Sequence, residues 1–257
     1  MSIDRRHWLR VAGASALGLV LAGCDKVSQS PRVVNFLSSA EGLNRRVQRL
    51  LLWRQSLAPE FAESDISNDF RPNGSINPSD ADYRAHVANA FADWRLVVDG
   101  LVDRPQALTL ADLKALPSRT QITRHDCVEG WSSIAKWTGP RLATVLAQAG
   151  LKPSAKYIVF HCFDSLDPAA AEGQKRYYES IDLVDAFHPQ TILAHAMNGQ
   201  PLGIPHGAPL RLRAERHLGY KQAKYIMRIE ATDRLDHIGA GKGGFWEDRG
   251  YEWYAGI

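Results

Sequence analysis

Cysteine is scarce in this chain, with three in 257 residues, at positions 24, 127 and 162. That excludes a disulfide-stapled scaffold and a four-cysteine iron–sulfur site. No C-x-x-C-H motif is present to attach a haem. Long apolar runs are also missing. The uncharged stretch Val11 to Ala22 has 12 residues, against about 20 for a helix that spans a bilayer. An excess of one charge is absent too: 31 Lys and Arg stand against 28 Asp and Glu, a net +3. Without residues 1–23 the balance is 28 to 27, which leaves no basic stripe for nucleic acid. What is present, 45% hydrophobic and 23% charged residues, is the composition of an ordinary globular domain.

The N-terminus reads as a targeting segment. Asp4-Arg5-Arg6-His7-Trp8-Leu9-Arg10 is basic with paired arginines, and the apolar run after it closes on Leu21-Ala22-Gly23-Cys24. The arginine pair resembles a Tat signal, with Asp4 where Ser or Thr is usual and Trp8 where Phe is usual. A thiol after small residues resembles a bacterial lipoprotein, so Cys24 is expected to carry lipid and hold the protein on a membrane facing the periplasm. An uncleaved N-terminal anchor is the alternative. In a compartment that permits disulfides, a Cys127–Cys162 bridge is the structural alternative for the two remaining cysteines.

Residues 24–38 read as a polar tether, and residues 39–257 as one domain. Leu43, Val47, Leu50, Leu51 and Arg54 follow a helical rhythm over 40–57. Residues 58–92, with Pro59, Pro72, Gly74 and Pro78, read as loop. Strands are expected over 95–100, 121–129, 157–160, 177–181, 191–197, 209–213 and 225–230. Short helices are expected after the N-cap Thr109 and over 142–149 before Gly150. Many strands, few short helices and no βαβ repeat make an α+β fold, mainly β. Gly239-Ala240-Gly241-Lys242-Gly243-Gly244 satisfies G-x-G-x-x-G. Only 13 residues follow it, too few for the helix, strand and acidic residue of a dinucleotide site; it reads as a glycine-rich tail, a lid near the site.

Chemistry concentrates in Arg124-His125-Asp126-Cys127-Val128-Glu129-Gly130-Trp131. On a persistent strand His125, Cys127 and Glu129 share one face. A thiol between an imidazole and a carboxylate suits a thiolate metal ligand, a nucleophile or a zinc corner. With Trp137-Thr138-Gly139 and Leu142, this segment resembles the metal-cysteine segment of the sulfite-oxidase-like molybdopterin-dependent oxidoreductases, and most of all the catalytic subunits of periplasmic methionine sulfoxide reductases. Asn198-Gly199-Gln200-Pro201-Leu202, His206 to Leu212, Gly219-Tyr220-Lys221 and Lys224-Tyr225-Ile226 follow in that family's order.

The resemblance implies a molybdenum–molybdopterin cofactor with Cys127 as the protein ligand to the metal. It implies pterin contacts from Asn68, Cys162, His206, Arg211, Gln222, Ala223 and Lys224, with Arg211 and Lys224 suited to the phosphate. Cys162 stands where the family has Thr, His206 where near relatives have Asn, and Arg71-Pro72 where they have a Tyr–acid pair. The implied activity is oxygen-atom transfer, with electrons exchanged with a separate membrane haem protein or cytochrome. The direction is read from the residues after Cys127. An ionised Glu129 about 4 Å from a bound sulfite would cost about 4 kcal/mol at an effective dielectric near 20. The same carboxylate can relay protons when a neutral S-oxide or N-oxide, small or protein-bound, is reduced, and Trp131 offers it an apolar wall. The alternative role for Glu129 is an ion pair with Arg124 or another cation. Sulfite-type oxidation, a metal-free lipoprotein binding module and a zinc hydrolase are the rival functions.

Overall fold

Leu96 and Val98 are buried while Arg95 and Val97 face outward, and that period of two makes β1 (Arg95–Gly100) a strand with one face in the core. In the computed structural model, residues 30–51, 56–171 and 173–257 are described. β1 pairs antiparallel with β2 (Gln106–Thr109) and parallel with β11 (Ile226–Thr232). β11 pairs antiparallel with β5 (Tyr157–Ser165), and β5 with β6 (Arg176–Asp182). The result is a five-stranded sheet in the order β2-β1-β11-β5-β6. A second sheet runs β3 (Ser118–Asp126), β4 (Ser132–Pro140), β8 (Ala196–Met197), β9 (Gln200–Pro201), and β7 (Ile192–Ala194) pairs with β10 (Arg211–Arg213). The architecture is α+β.

Helices are short. Asp80 caps α2 (Ala81–Ala88), accepting from the amides of Asp82 and Tyr83. Thr109 and Asp112 form the reciprocal capping box of α3 (Leu110–Ala115). In α4 (Leu142–Ala149) the buried face is Leu142, Val145, Leu146 and Ala149, and Gly150 ends it in the left-handed conformation. The four-residue α5 (Leu183–Ala186) follows β6. A large core lies about the five-stranded sheet. A smaller one of Phe70, Ala135, Trp137, Ile192, Ala194, Met197 and Leu202 lies about β4. There β4 crosses β7 so closely that a Cβ at Gly139 would overlap the carbonyl of Leu193, which explains the glycine of Trp137-Thr138-Gly139.

The chain divides into two units, residues 1–48 and 49–257. The first helix, α1, spans Pro31–Leu51, earlier than the sequence rhythm places it. Ser30 Oγ accepts from the Val33 amide and Pro31 occupies the first helical position, so the later half of the expected tether is helical. The loop expected over 58–92 contains α2, whose signal is the Asp80 cap rather than an apolar stripe. The leader, Cys24 and Arg54 lie outside the described residues. Among the described residues no helix is long and apolar enough to cross a membrane.

Candidate active site

β3 and β4 form a nine-residue antiparallel hairpin, with His125 opposite Ser133 and Asp126 opposite Ser132. The strand ends there. The Cys127 amide donates to Trp131 O (2.9 Å) and the Gly130 amide to Cys127 O (3.0 Å), and Gly130 sits at φ 85°. Cys127 is therefore at the tip of a tight turn, with its half-buried thiol at a cavity open to solvent. Asp164, Gln222 and Lys224 line the same cavity. Both Cys127 and Cys162 are free, so the bridge is not formed. Burial pushes the Cys127 thiol up, the opposite of what an activated nucleophile requires. Among the described residues no three His, Cys, Asp or Glu side chains converge as a cation site. The zinc corner therefore lacks its ligands, and Cys127 remains as a lone thiolate donor.

His125, one pleat behind, is fully buried. Arg213 Nη1 donates to its Nδ1 (3.2 Å). A guanidinium can only donate, so the proton of the neutral ring is on Nε2. Burial first, then Arg213 and Arg211, hold this imidazole well below its ordinary pKa. Arg213 is locked in turn by Glu215 (2.9 and 2.5 Å). The ring is closed in by Phe70, Trp131 and the bare Cα of Gly219.

Beyond it lies a cluster of buried polar groups without partners. Arg211 is fully buried over the Trp137 ring, 4.8 Å from its centroid. Its Nη1 donates to His206 O (3.1 Å), while Nε and Nη2 have no partner. Its pKa is pushed down to about 9 by burial and then by Arg213. His206 Nδ1, Gln222 Oε1, Asn73 Oδ1 and His125 Nε2 likewise make no well-formed hydrogen bond. Gly207, at φ 107°, lets the His206 loop close on Lys224, where a Cβ would lie 2.8 Å from the lysine Cβ. Lys224 Nζ donates to the carbonyls of Pro205 (2.9 Å) and Ser75. Orphaned buried donors of this kind are costly unless something binds them. A buried guanidinium beside a lysine fits an anion, and the amide and imidazole groups fit a polar heterocycle. The residues present therefore fit a pterin phosphate cofactor.

The predicted residues do not all converge. Cys127, Glu129, Gln222 and Lys224 line the cavity; Arg211 and His206 stand behind it in the orphaned cluster. Cys162 is a fully buried core thiol in β5, facing a different cavity, that of Asp80 and Arg176. Asn68 is exposed and Ala223 is buried, its carbonyl accepting from Leu212 N (2.8 Å). Glu129 does not share a strand face with Cys127, because the strand stops at Asp126. The turn carries it to the rim instead, with its side chain 61% exposed. There it accepts from Trp131 Nε1 (2.9 Å) and lies 3.8 Å from Arg71. Arg124 pairs with Asp126 (2.8 Å), not with Glu129.

Sequence reasoning missed Asp164. It is buried in β5, lines the cavity and leaves Oδ1 without a partner. Burial pushes its carboxyl up to about 7, against the pull of Lys224. Burial and Arg211 push Lys224 down to about 7. Also missed are the aromatics that line the cavity: Tyr177, Tyr220, Trp246 and Tyr251. Tyr220 stands in the Gly219-Tyr220-Lys221 motif without a role read for it, and no local motif marks Tyr177, Trp246 or Tyr251, which come from β6 and the C-terminal tail.

Comparison with known proteins adds three relatives and a family. The oxidoreductase molybdopterin binding domain family matches residues 84–237. The chain is 38% identical over 237 residues to YedZ1 of Azospira oryzae, provisionally named a protein-methionine-sulfoxide reductase subunit, covering 92% of this chain and 82% of that one. It is 35% identical over 244 residues to MsrP, the protein-methionine-sulfoxide reductase catalytic subunit of Xanthomonas axonopodis pv. citri, covering 90% and 71%. It is 33% identical over 193 residues to the uncharacterized oxidoreductase YuiH of Bacillus subtilis, covering 74% and 89%.

Proposed function

The chain belongs to the oxidoreductase molybdopterin-binding domain family, and on that premise we propose that this molybdopterin-dependent oxidoreductase reduces a neutral S-oxide or N-oxide by oxygen-atom transfer. The observation that carries the direction is the lining of the cavity beside Cys127. It presents two acids, Asp164 within and Glu129 at the rim, and an uncharged aromatic surface. When bound, the molybdenum cofactor supplies two electrons and accepts the oxygen atom. Reducing a sulfoxide consumes two electrons and two protons, breaks the S–O bond and yields a sulfide and one water. Asp164, held near neutrality by burial, stores a proton at the cavity wall. Glu129, exposed and ordered by Trp131, exchanges protons with solvent. Cys127 would hold the metal, and Arg211, Lys224, Gln222 and His206 would hold the pterin and its phosphate.

Sulfite is the less suited substrate, because an anion entering this cavity passes the Glu129 carboxylate at its rim. Steady-state turnover of the holoenzyme with a reduced dye and dimethyl sulfoxide or methionine sulfoxide, set against sulfite with an oxidant, tests the direction. Oxide reduction is expected; efficient sulfite oxidation without it sinks the reading. Molybdenum analysis of the same preparation separates an enzyme from a metal-free binding module, which would hold none.

Electrons are taken from a separate redox partner, such as a membrane haem protein or cytochrome, because the chain has no haem motif or iron–sulfur cysteine set of its own. Two names among the relatives, a subunit and a catalytic subunit, support a multi-component system. Export to the periplasm as a lipoprotein rests on Arg5-Arg6 and Cys24. Arg5→Lys with Arg6→Lys is expected to strand the protein in the cytoplasm, and Cys24→Ser to release it from membranes. Unchanged fractionation of either variant removes that part of the proposal.

A further inference from the structure

The C-terminal tail lies beyond the residues that the family matches, yet two of its side chains line the cavity. Trp246 and Tyr251 are stacked, with centroids 5.4 Å apart and planes at 29°, and Tyr251 meets Tyr220 edge-on at 5.2 Å. Together with Leu166 and Val128, they make an apolar shelf running from the cavity to its rim. Tyr251 is 40% exposed and Val128 43%.

Buried charge holds the shelf in place. Glu247, next to Trp246, accepts from Lys221 Nζ (2.7 Å), which also donates to Glu179 (2.5 Å), and all three side chains are at most 1% exposed. Asp248 accepts from Tyr178 Oη and from the amides of Ala240 (2.6 Å) and Lys242 (2.8 Å). The glycines of the G-x-G-x-x-G string make this wrapping possible. A Cβ at Gly244 would overlap the Glu247 carboxylate, and one at Gly239 the Tyr178 hydroxyl. A segment clamped by a buried three-charge cluster is a fixed wall rather than a lid. Pre-organised aromatic surface loses little entropy when it binds.

We propose that Trp246 and Tyr251 are specificity-determining residues that receive the alkyl arm of the oxide substrate, favouring sulfoxides with a long alkyl arm over dimethyl sulfoxide. Aromatic faces bury methylenes, and the shelf reaches solvent, so an arm projecting from a larger molecule can lie along it. This rests on the reading of the cavity as an oxide-reducing site.

The test uses the holoenzyme, a peptide with an internal methionine sulfoxide, and dimethyl sulfoxide. Trp246→Ala and Tyr251→Ala are expected to raise KM for the peptide about fivefold, the equivalent of about 1 kcal/mol. They are expected to change KM for dimethyl sulfoxide and both kcat values by less than about twofold. Trp246→Phe is expected to restore most of the loss. Calorimetric binding of the redox-inert methionine-sulfone peptide is expected to weaken by the same factor, independently of turnover. Should Trp246→Ala fail to fold, Tyr251→Ala carries the test, because its ring is largely at the surface. Unchanged peptide KM and sulfone affinity in a fully active enzyme overturn the inference and leave oxide reduction standing. Equal shifts for both substrates also overturn it, since they mark a structural role. A wild-type enzyme that reduces neither oxide overturns the parent reading and this inference together.

Discussion

Replacing Arg211 with Met is expected to stabilise the protein made without its cofactor and to cripple its ability to hold one. The guanidinium is fully buried, with two of its three nitrogens unpartnered and Arg213 as a like-charged neighbour over the same tryptophan. Burial and Arg213 push its pKa from 12.5 down to about 9. At about 1.4 kcal/mol for each power of ten in the proton equilibrium, keeping that proton in the folded state costs about 5 kcal/mol. Methionine fills similar space without charge but loses the contact to Trp137, worth about 1–2 kcal/mol when desolvated. The net expectation for the cofactor-free protein is a gain of about 3–4 kcal/mol, at the upper end of the range found when buried ions give way to apolar residues. For a chain of this size each kcal/mol moves Tm by about 2–4 °C. Holo protein should behave in the opposite sense, because the bound phosphate compensates the charge and binding stabilises the fold by mass action. The assay is thermal unfolding of both proteins from hosts with and without cofactor synthesis, alongside pterin content. A cofactor-free variant less stable than wild type, with normal pterin retention in the holo form, would refute the reasoning and make Arg211 an ordinary structural residue.

Cys127→Ala removes a side chain at a hairpin tip, so molybdenum content by mass spectrometry is expected to collapse while cofactor-free stability changes by about 0.5 kcal/mol or less; full metal content counts against the ligand role. Asp185 accepts from Arg49 (2.5 Å), Arg216 (2.8 Å) and His217 (2.8 Å). Burial alone would raise its pKa, but His217 and Arg49 outweigh it and hold the carboxyl far below its ordinary value. Its stabilisation is therefore complete above about pH 4, the unfolded value, and fades as pH falls below it. Asp185→Asn is expected to cost about 3–5 kcal/mol at pH 7 and progressively less in acid; a gap independent of pH in denaturant titrations contradicts this. Gly219→Ala places a Cβ 2.5 Å from His125 Nε2. With the ring clamped by Arg213, a loss of about 1–3 kcal/mol is expected, and an unchanged Tm would show that the imidazole is free to move.

Local chemistry was legible along the chain wherever a short-range rule governs it. The Thr109 N-cap, the helix stop at Gly150 and the strand over 95–100 are each written within a few residues, and all form as read. The ordered motifs from Arg124 to Tyr225 identified the family and its cofactor for the same reason: they are strings of adjacent residues. Misreadings fell where a neighbour in space decides the outcome. Glu129 left the strand face because the strand stops at Asp126, three residues short of it, where the turn Cys127–Trp131 closes with a hydrogen bond across the hairpin. Cys162 and Asp164 are two apart on β5, yet only Asp164 borders the cavity beside Cys127, because Cys162 packs into the core. Asp164 gains its raised pKa from the depth at which the five-stranded sheet sets it, opposite a lysine sixty residues away in sequence. The glycine-rich tail looked like a nucleotide motif, but its glycines are spaced to clear Glu247 and the Tyr178 hydroxyl, partners that only the folded chain brings near. Periodicity and motif order report what each residue prefers. Burial and charge pairing, which set the chemistry of the site, depend on contacts between residues far apart in sequence.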